Sequence, residues 1–527
     1  MKKPTLEVKM LAGEYWWGGS ADDGVQMPFS AETCDYVRDF RVSAPNQTMP
    51  LYLSSCGRYV WSEHPFRVRI DGGVLFFEGR DIILNRAGDT LRAAYLAAES
   101  AHFPFGGSVP PRAFFETAQY NTWMEFTYTP TQSGVLSYAH AILENGFKPG
   151  IFIIDEGWHL PYGDWRFDPV KFPDPAGMVA ELHRLGFRVM LWVVPYVTAS
   201  GARYMSSLRK DRNPEGYDRL YMRNEEGEPA LVRWWNGVCA ILDLSNPVDA
   251  AFLDDQLRAL IRDYGIDGFK FDGGDLGAYS NVSMVNGCHR GTADGTYDPA
   301  EKNLAWNAFG TRYAYHEYKD TFKGGGKPVI QRLRDRNHSW TNDGIDTIIP
   351  NSLAQGLIGH PFICPDMIGG GEWSYNRPGF RVDEELFVRM AQVSVFFPMM
   401  QFSWAPWRVL SPEHLAIVRE CANLHARLAP ELYDLIQASA KSGEPILRPR
   451  CYSYPHAGYE KVTDEYLCGE NLLVCPVVTK GTRRKELIFP AGEWGDEDGN
   501  RYTEGRHTVE TPLEKLAWFR AMDFALA

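Results

Sequence analysis

Between Val248 and Tyr264 the apolar side chains fall at Phe252, Leu257, Leu260 and Ile261, the spacing of one helix face. Asn246-Pro247 precedes them, and Gly265 stands where a helix needs a left-handed residue to end. The period then changes from helical to alternating. From Ile266 to Asp272 successive side chains point to opposite faces, so Lys270 and Asp272 share one face while Phe269 and Phe271 share the other. The pattern predicts a helix, a tight turn and a buried strand that delivers a carboxylate into the glycine-opened loop Gly273-Gly274. Taken alone, Asp272-Gly273-Gly274 also fits an Asp-Gly turn with a solvated ion pair. A calcium loop is the poorer fit, because the alternating acids and the closing glutamate are missing.

Repetition of the unit favours function over a plain turn. A helical stretch from Gly134 to Asn145 ends at Gly146, and Gly150 to Ile154 runs as an apolar strand into Asp155-Glu156. Pro175 to Leu185 is a second amphipathic helix, stopped at Gly186, and Arg188 to Val194 is an apolar strand ending in Pro195-Tyr196. Pro328 to Arg332, Pro361 to Asp366 and Val393 to Met400 read as later strands with polar residues at their C-terminal ends. Strands buried on both faces, with helices between them, predict an α/β fold: a (β/α)8 TIM barrel whose functional groups gather on one rim.

A chain of 527 residues exceeds one ordinary domain and leaves room on both sides of a barrel. The early segment Arg67 to Phe77 alternates about Gly72-Gly73 like a hairpin, and strand-and-turn spacing returns after Gly443, including Asn471 to Val478. The expected division is an N-terminal β-sandwich over 1–105, the catalytic barrel over 106–442 and a small C-terminal β-sandwich over 443–527.

Net charge is −13, and no lysine-arginine stripe is interleaved with aromatics, so a nucleic-acid partner is not expected. No apolar run approaches the roughly 18 residues of a membrane span, and Met1-Lys2-Lys3-Pro4 is followed by Glu7, Lys9 and Glu14 rather than a signal-like apolar core. The expectation is therefore a cytoplasmic protein without a membrane partner. The nine cysteines form no CxxC pair, and Cys239, Cys364 and Cys475 sit in apolar runs as small core residues. His159, His183, Asp155 and Asp272 are imaginable metal ligands, but no HxH or HExxH spacing supports them, and neither a metal nor a cofactor is expected.

Tryptophan is frequent near the proposed strand ends: Trp123, Trp158, Trp165, Trp192, Trp340, Trp404 and Trp407. Single tryptophans are usually core, but a set at one rim, with Asp, Arg and Lys among them, suits the apolar faces and hydroxyl edges of sugar rings.

Ile154-Asp155 followed by Phe167-Asp168-Pro169-Val170-Lys171-Phe172-Pro173-Asp174-Pro175, the Gly268–Asp275 strand, Trp340-Thr341-Asn342-Asp343 and Pro365-Asp366-Met367-Ile368-Gly369-Gly370 occur in an order and spacing that resemble glycoside hydrolase family 31, the retaining α-glycosidases. Gly443 to Pro449 and Phe489 to Trp494 are similar to that family's C-terminal sandwich. The resemblance implies a carbohydrate substrate and two carboxylates about 5 to 5.5 Å apart, one a nucleophile and one an acid/base. Asp272 takes the first role and Asp343, in the register of Trp340, the second, with Asp346 as its competitor. The acid has to stay protonated near neutrality, for which burial beside other carboxylates is expected. The resemblance also implies that Asp155, Arg332 and Asp366 bind sugar hydroxyls, that Trp192 and Trp340 wall the pocket, and that Trp17 reaches in from the first domain.

Two departures bear on the sugar. Lys270 stands where α-glucosidase members carry a bulky aromatic, and Gln401-Phe402-Ser403 replaces an Arg-Asn-His run. Lys270 is expected to donate to a sugar hydroxyl or to Asp272, and Gln401 to reach the substrate. The chain looks most like the α-galactosidase-type branch. An α-glucosidase, an α-xylosidase or an α-transglycosylase remains an alternative, and a homo-oligomer stays open.

Overall fold

The computed structural model describes residues 5–42, 46–208, 220–290 and 298–522. The centre is a ring of parallel strands: β1 (Gln119–Asn121), β2 (Ile151–Ile154), β3 (Arg188–Val193), β4 (Gly268–Phe271), β5 (Tyr315–Tyr318), β6 (Gln331–Arg332), β7 (Ile363–Cys364), β8 (Met367–Ile368) and β9 (Gln401–Phe402). Their order in the sheet is β7-β6-β5-β4-β3-β2-β1-β9-β8. Only Pro365-Asp366 separates β7 from β8, so these two are one interrupted strand and the sheet closes into the expected eight-stranded barrel. Asp366 makes that break with φ at 97°, a left-handed conformation that a non-glycine residue adopts only under constraint.

The helix before β4 spans Pro247–Tyr264, begins at the Asn246 cap and ends at Gly265 with φ at 76°. Gln132–Glu144 and Pro175–Arg184 form the two earlier expected helices. The later strands are shorter than the apolar pattern suggests. Prolines at 328, 361 and 365 lack the N–H a ladder needs, which confines pairing to Gln331–Arg332 and Ile363–Cys364. Val393 to Met400 is not a strand. Its first residues finish the helix Glu384–Ser394, the rest is a buried connection, and the barrel strand follows at Gln401–Phe402. An unbroken apolar run signals burial on all sides and does not separate a core helix from a strand.

Two antiparallel sheets precede the barrel. One orders Leu6–Lys9, Val74–Glu78, Arg67–Asp71 and Tyr36–Asp39, with the hairpin turn at Gly72-Gly73, both at positive φ. The other is built on Gln47–Ser54, flanked by Trp16–Ser20, Arg58–Trp61 and Ile83–Arg86. Thr321–Phe322, from the loop after β5, pairs with Gln47 and Thr48 and extends this second sheet. The barrel rim and the N-terminal sheets are therefore hydrogen-bonded to each other. Gln47 drives its side-chain amide into the rim, donating to the backbone carbonyls of Lys319 (2.6 Å) and Arg332 (3.0 Å).

A long helix, Pro412–Ser442, closes the barrel and ends at Gly443. Beyond it one six-stranded sheet ends in the long pair Arg484–Gly495 and Arg501–Glu510 around Phe489, Trp494 and Phe519. Cys239, Cys364 and Cys475 are buried. Among the described residues no helix is long and apolar enough to cross a membrane.

Candidate active site

Asp272 leaves β4 at its C-terminal end and is buried there. Two glycines make the approach possible. A Cβ on Gly273 would come within 2.8 Å of the Tyr196 ring, one on Gly274 within 2.6 Å of the Trp306 ring, and both residues have positive φ. The Gly273 N–H donates to Asp272 Oδ1 at 2.8 Å, and Trp192 Nε1, from the neighbouring β3, donates to Oδ2 at 3.0 Å. Lys319 Nζ lies 3.0 Å from Oδ1. Burial acts to raise the pKa of this carboxyl. The charges of Lys319, then Lys270 and Arg332, together with the Trp192 hydrogen bond, outweigh that effect and hold it ionised well below the usual carboxylate range.

Above Asp272 opens a cavity of about 210 Å³. Five tryptophans form its walls: Trp123, Trp192, Trp234, Trp235 and Trp373. Its charged lining is Asp155, Lys270, Asp272, Lys319 and Asp335. Asp335 is 32% exposed at its side chain and receives Arg332 Nη1 at 2.8 Å, with Lys319 Nζ at 3.9 Å. Burial raises this carboxyl too, but Arg332, Lys319 and Lys270 outweigh it and hold it below the ordinary range.

Lys270 shares the inner face with Asp272 but pairs elsewhere. Its ammonium meets Asp155 Oδ2 at 2.6 Å, and Asn121 Nδ2 donates to the same oxygen at 2.9 Å. The cation in contact with Asp272 is Lys319 instead. Under this floor the barrel holds a further polar layer. Gln401 donates to Gln119 and Glu317, both at 3.1 Å, and Arg332 is divided among Glu317 (3.3 Å), Asp335 and Asp366 (2.5 Å). Gln401, Arg332 and Asp366, expected to touch substrate, are thus buried beneath the cavity and absent from its lining.

Three other expectations are corrected. Asp343 does not line the cavity: Arg336 Nη1 and Arg334 Nη2 (2.9 Å) clasp it, and Asp22, in the short helix Ala21–Gln26 after the strand Trp16–Ser20, braces Arg334 at 2.7 Å. Its neighbours are guanidinium groups rather than the carboxylates expected of a buried acid. Trp340 lies outside the lining, with Nε1 donated to Asp383 Oδ2 at 3.0 Å. Trp17 is packed in the N-terminal core, because the strand Trp16–Ser20 pairs with Gln47–Ser54 and turns the ring inward. Of the tryptophans expected at the rim, Trp123 and Trp192 line the cavity, while Trp158, Trp165 and Trp404 are buried. His183 sits below the site, bonded to Asp267 before β4, well apart from His159 next to Glu156.

Sequence reasoning missed Lys319, Asp335, Trp234, Trp235 and Trp373. Lys319 follows β5, whose Tyr-His-Glu-Tyr sequence has no apolar alternation to mark it as a barrel strand. Asp335 lies among the arginines of Arg332-Leu333-Arg334-Asp335-Arg336, where a charge run usually means a solvated loop. The Trp-Trp pair ends the first arm of a hairpin, Leu231–Trp234 with Gly237–Ile241, inserted between β3 and β4. Such a hairpin in a barrel loop was a signal available to find it.

A model of the glycosyl hydrolases family 31 TIM-barrel domain matches residues 108–435, and one of the family 31 C-terminal domain matches 443–521. The myogenesis-regulating glycosidase of Mus musculus is 31% identical over 407 residues, 75% of this chain and 54% of that protein. Alpha-glucosidase 2 of Bacillus thermoamyloliquefaciens is 24% identical over 423 residues, 75% of this chain and 51% of that protein. The chain thus spans about half the length of these relatives. A dextranase from Flavobacterium johnsoniae, solved with glucose, has the same fold, with a TM-score of 0.82 over 98% of this chain and 66% of its own at 19% identity. With its barrel and C-terminal sheet matched in sequence and its architecture matched in space, the chain belongs to glycosyl hydrolase family 31.

Proposed function

We propose that the protein is a retaining α-galactosidase that works by double displacement, with Asp272 as nucleophile and Asp335 as acid/base. The observation that carries the reading is the pair of carboxylates lining one cavity and sharing the Lys319 ammonium, with Asp272 held ionised. Asp155, the third acid of the lining, is occupied by Lys270 and Asn121. In the first half-reaction Asp272 bonds the anomeric carbon as the glycosidic bond breaks, and the Asp335 proton goes to the leaving oxygen. In the second, Asp335 takes a proton from water as that oxygen replaces Asp272.

A neutral hexose is favoured because, among the described residues, the cations of the lining are Lys270 and Lys319, and each is paired with a carboxylate rather than free for an anionic sugar. Galactose is preferred to glucose on one substitution in the lining, Lys270 for the bulky aromatic of the glucosidase pattern. A cavity of about 210 Å³ lies below the roughly 300 to 1,000 Å³ of sites for drug-sized ligands, which suits removal of one terminal sugar.

The test is a panel of aryl α-galactoside, glucoside, xyloside, sulfoquinovoside and N-acetylgalactosaminide, with the first-formed anomer followed by NMR. The expected result is fastest turnover of the galactoside and release of the α-anomer. A first-formed β-anomer overturns the double displacement; a preferred glucoside or xyloside moves the specificity to that sugar; transfer to an added sugar in place of water marks a transglycosylase.

Lys270→Met has two expected effects. It strands Asp155 in a pair whose side chains are 5% and 3% exposed, so stability should fall by about 3 to 5 kcal/mol in denaturant unfolding. It also removes a charged donor from the sugar pocket, and kcat/KM on the galactoside should fall by about one to two orders of magnitude. The double variant with Asp155→Asn should regain part of the stability and none of the activity. Full recovery of activity would make the pair purely structural.

A further inference from the structure

We infer that Lys319 is a positioning residue that stays with the site's negative charge as that charge passes between Asp272 and Asp335. The inference rests on the roles proposed for those two carboxylates. Lys319 follows the end of β5 with its side chain 18% exposed, and Nζ stands 3.0 Å from Asp272 Oδ1 and 3.9 Å from Asp335 Oδ2. Its backbone is held from outside the barrel. The Gln47 amide donates to the Lys319 carbonyl at 2.6 Å, and the Asn46 N–H donates to Asp320 Oδ1. The same two residues hold the other rim, Gln47 at the Arg332 carbonyl (3.0 Å) and Asn46 Oδ1 at the Arg334 N–H (2.8 Å). Lys319 and the loop that carries Asp335 therefore hang from one strand of the N-terminal sheet.

The charges facing Lys319 are Asp272, Asp335, Asp320, Asp275, Arg332 and, through Asp272 and Asp335, Lys270. Burial and the neighbouring Asp275 raise the Asp320 carboxyl, which favours its neutral form. Asp275, raised by burial, accepts the Ala278 N–H at 2.7 Å as a helix cap. Among the described residues, Asp272 and Asp335 are the carboxylates within 4 Å of the ammonium, at 3.0 and 3.9 Å.

The reaction needs such a cation at this point. Before glycosylation Asp272 is the carboxylate and Asp335 carries a proton. When the glycosidic bond breaks, its electron pair stays on the leaving oxygen and takes the Asp335 proton, while an Asp272 oxygen pair bonds the anomeric carbon. Asp272 becomes a neutral ester and Asp335 becomes the carboxylate. One negative charge has moved from one neighbour of Lys319 to the other, and hydrolysis of the ester returns it. A fixed ammonium beside both positions stabilises each end state without reorganisation of solvent.

The test uses the whole 527-residue chain with Lys319→Met and Lys319→Arg, an activated aryl α-galactoside and an unactivated disaccharide. Lys319→Met is expected to lower kcat by about a hundredfold, the scale of losing one preorganised charge. Because both carboxyls lose the same cation, both limbs of the kcat/KM pH profile on the unactivated disaccharide should move to higher pH. Lys319→Arg keeps the charge and should keep the profile in place. A Lys319→Met profile that superimposes on the native one, with loss only in folded fraction, overturns the inference. If the methionine variant does not fold, Lys319→Gln is read by the same profile. Failure of the underlying roles is recognised separately: native turnover in Asp272→Ala or Asp335→Ala removes the reading itself, whereas the expected behaviour of both with an unshifted Lys319→Met profile removes this inference alone.

Discussion

Asp272→Ala should lose turnover by on the order of ten-thousandfold or more, and added azide should restore it with formation of a β-glycosyl azide. The carboxylate is prepared for attack before substrate arrives. Both of its oxygens are oriented, Oδ1 by the Gly273 N–H and Lys319 and Oδ2 by Trp192, and its surroundings keep it ionised. Azide fits the space left by the side chain and attacks the same face of the anomeric carbon, so its product has the inverted configuration. The readout is the NMR-assigned anomer of the azide adduct. Native activity in Asp272→Ala, or an α-azide product, would remove Asp272 from the nucleophile's role.

The second large effect concerns the proton. Asp335→Ala should reduce kcat/KM on an unactivated disaccharide by about 10²- to 10⁴-fold, while an activated aryl galactoside still forms the glycosyl-enzyme and accumulates it. Azide here attacks the intermediate and needs no base, so the product is the α-glycosyl azide, opposite to that of Asp272→Ala. Asp343→Asn, which changes a carboxylate outside the lining and held by Arg334 and Arg336, should lose less than about tenfold and show no dependence on leaving group. The reverse pattern would return the acid to Asp343. The pH dependence has a definite sign. Since Arg332 and Lys319 hold Asp335 below the ordinary range, its proton is scarce near neutrality and becomes available as pH falls. Asp272, also lowered, stays ionised over that interval. Unactivated substrates should therefore be cleaved faster toward acid pH, whereas glycosylation by activated ones should vary little with pH.

The barrel was legible because its α-to-β steps change period abruptly: Val248 to Tyr264 repeats as a helix, Gly265 stops it, and Gly268 to Phe271 alternates into Asp272. Strong local patterns of this kind survive tertiary packing. The apolar run Val393 to Met400 did not, since burial on every side erases the difference between helix and strand.

Within the site, the sequence by itself determined the residues on the two inner strand tips. Asp155 and Asp272 end β2 and β4, Lys270 lies two residues before Asp272, and strand geometry turns Lys270 and Asp272 toward one face whatever the rest of the chain does. Tertiary structure decided which charges meet. Along the chain Lys270 is close only to Asp272, two residues on, yet the register of neighbouring strands gave it to Asp155, 115 residues earlier. Lys319 reaches Asp272 only because β4 and β5 pair side by side, and Gln47, 272 residues earlier, secures the backbone that carries it. Asp335 faces the cavity and Asp343 turns away to its arginines through the path of a single loop, braced by Asp22 from another domain. Short-range periodicity fixes where a side chain points on its own strand; distances between strands and loops depend on contacts hundreds of residues apart, which no local pattern encodes.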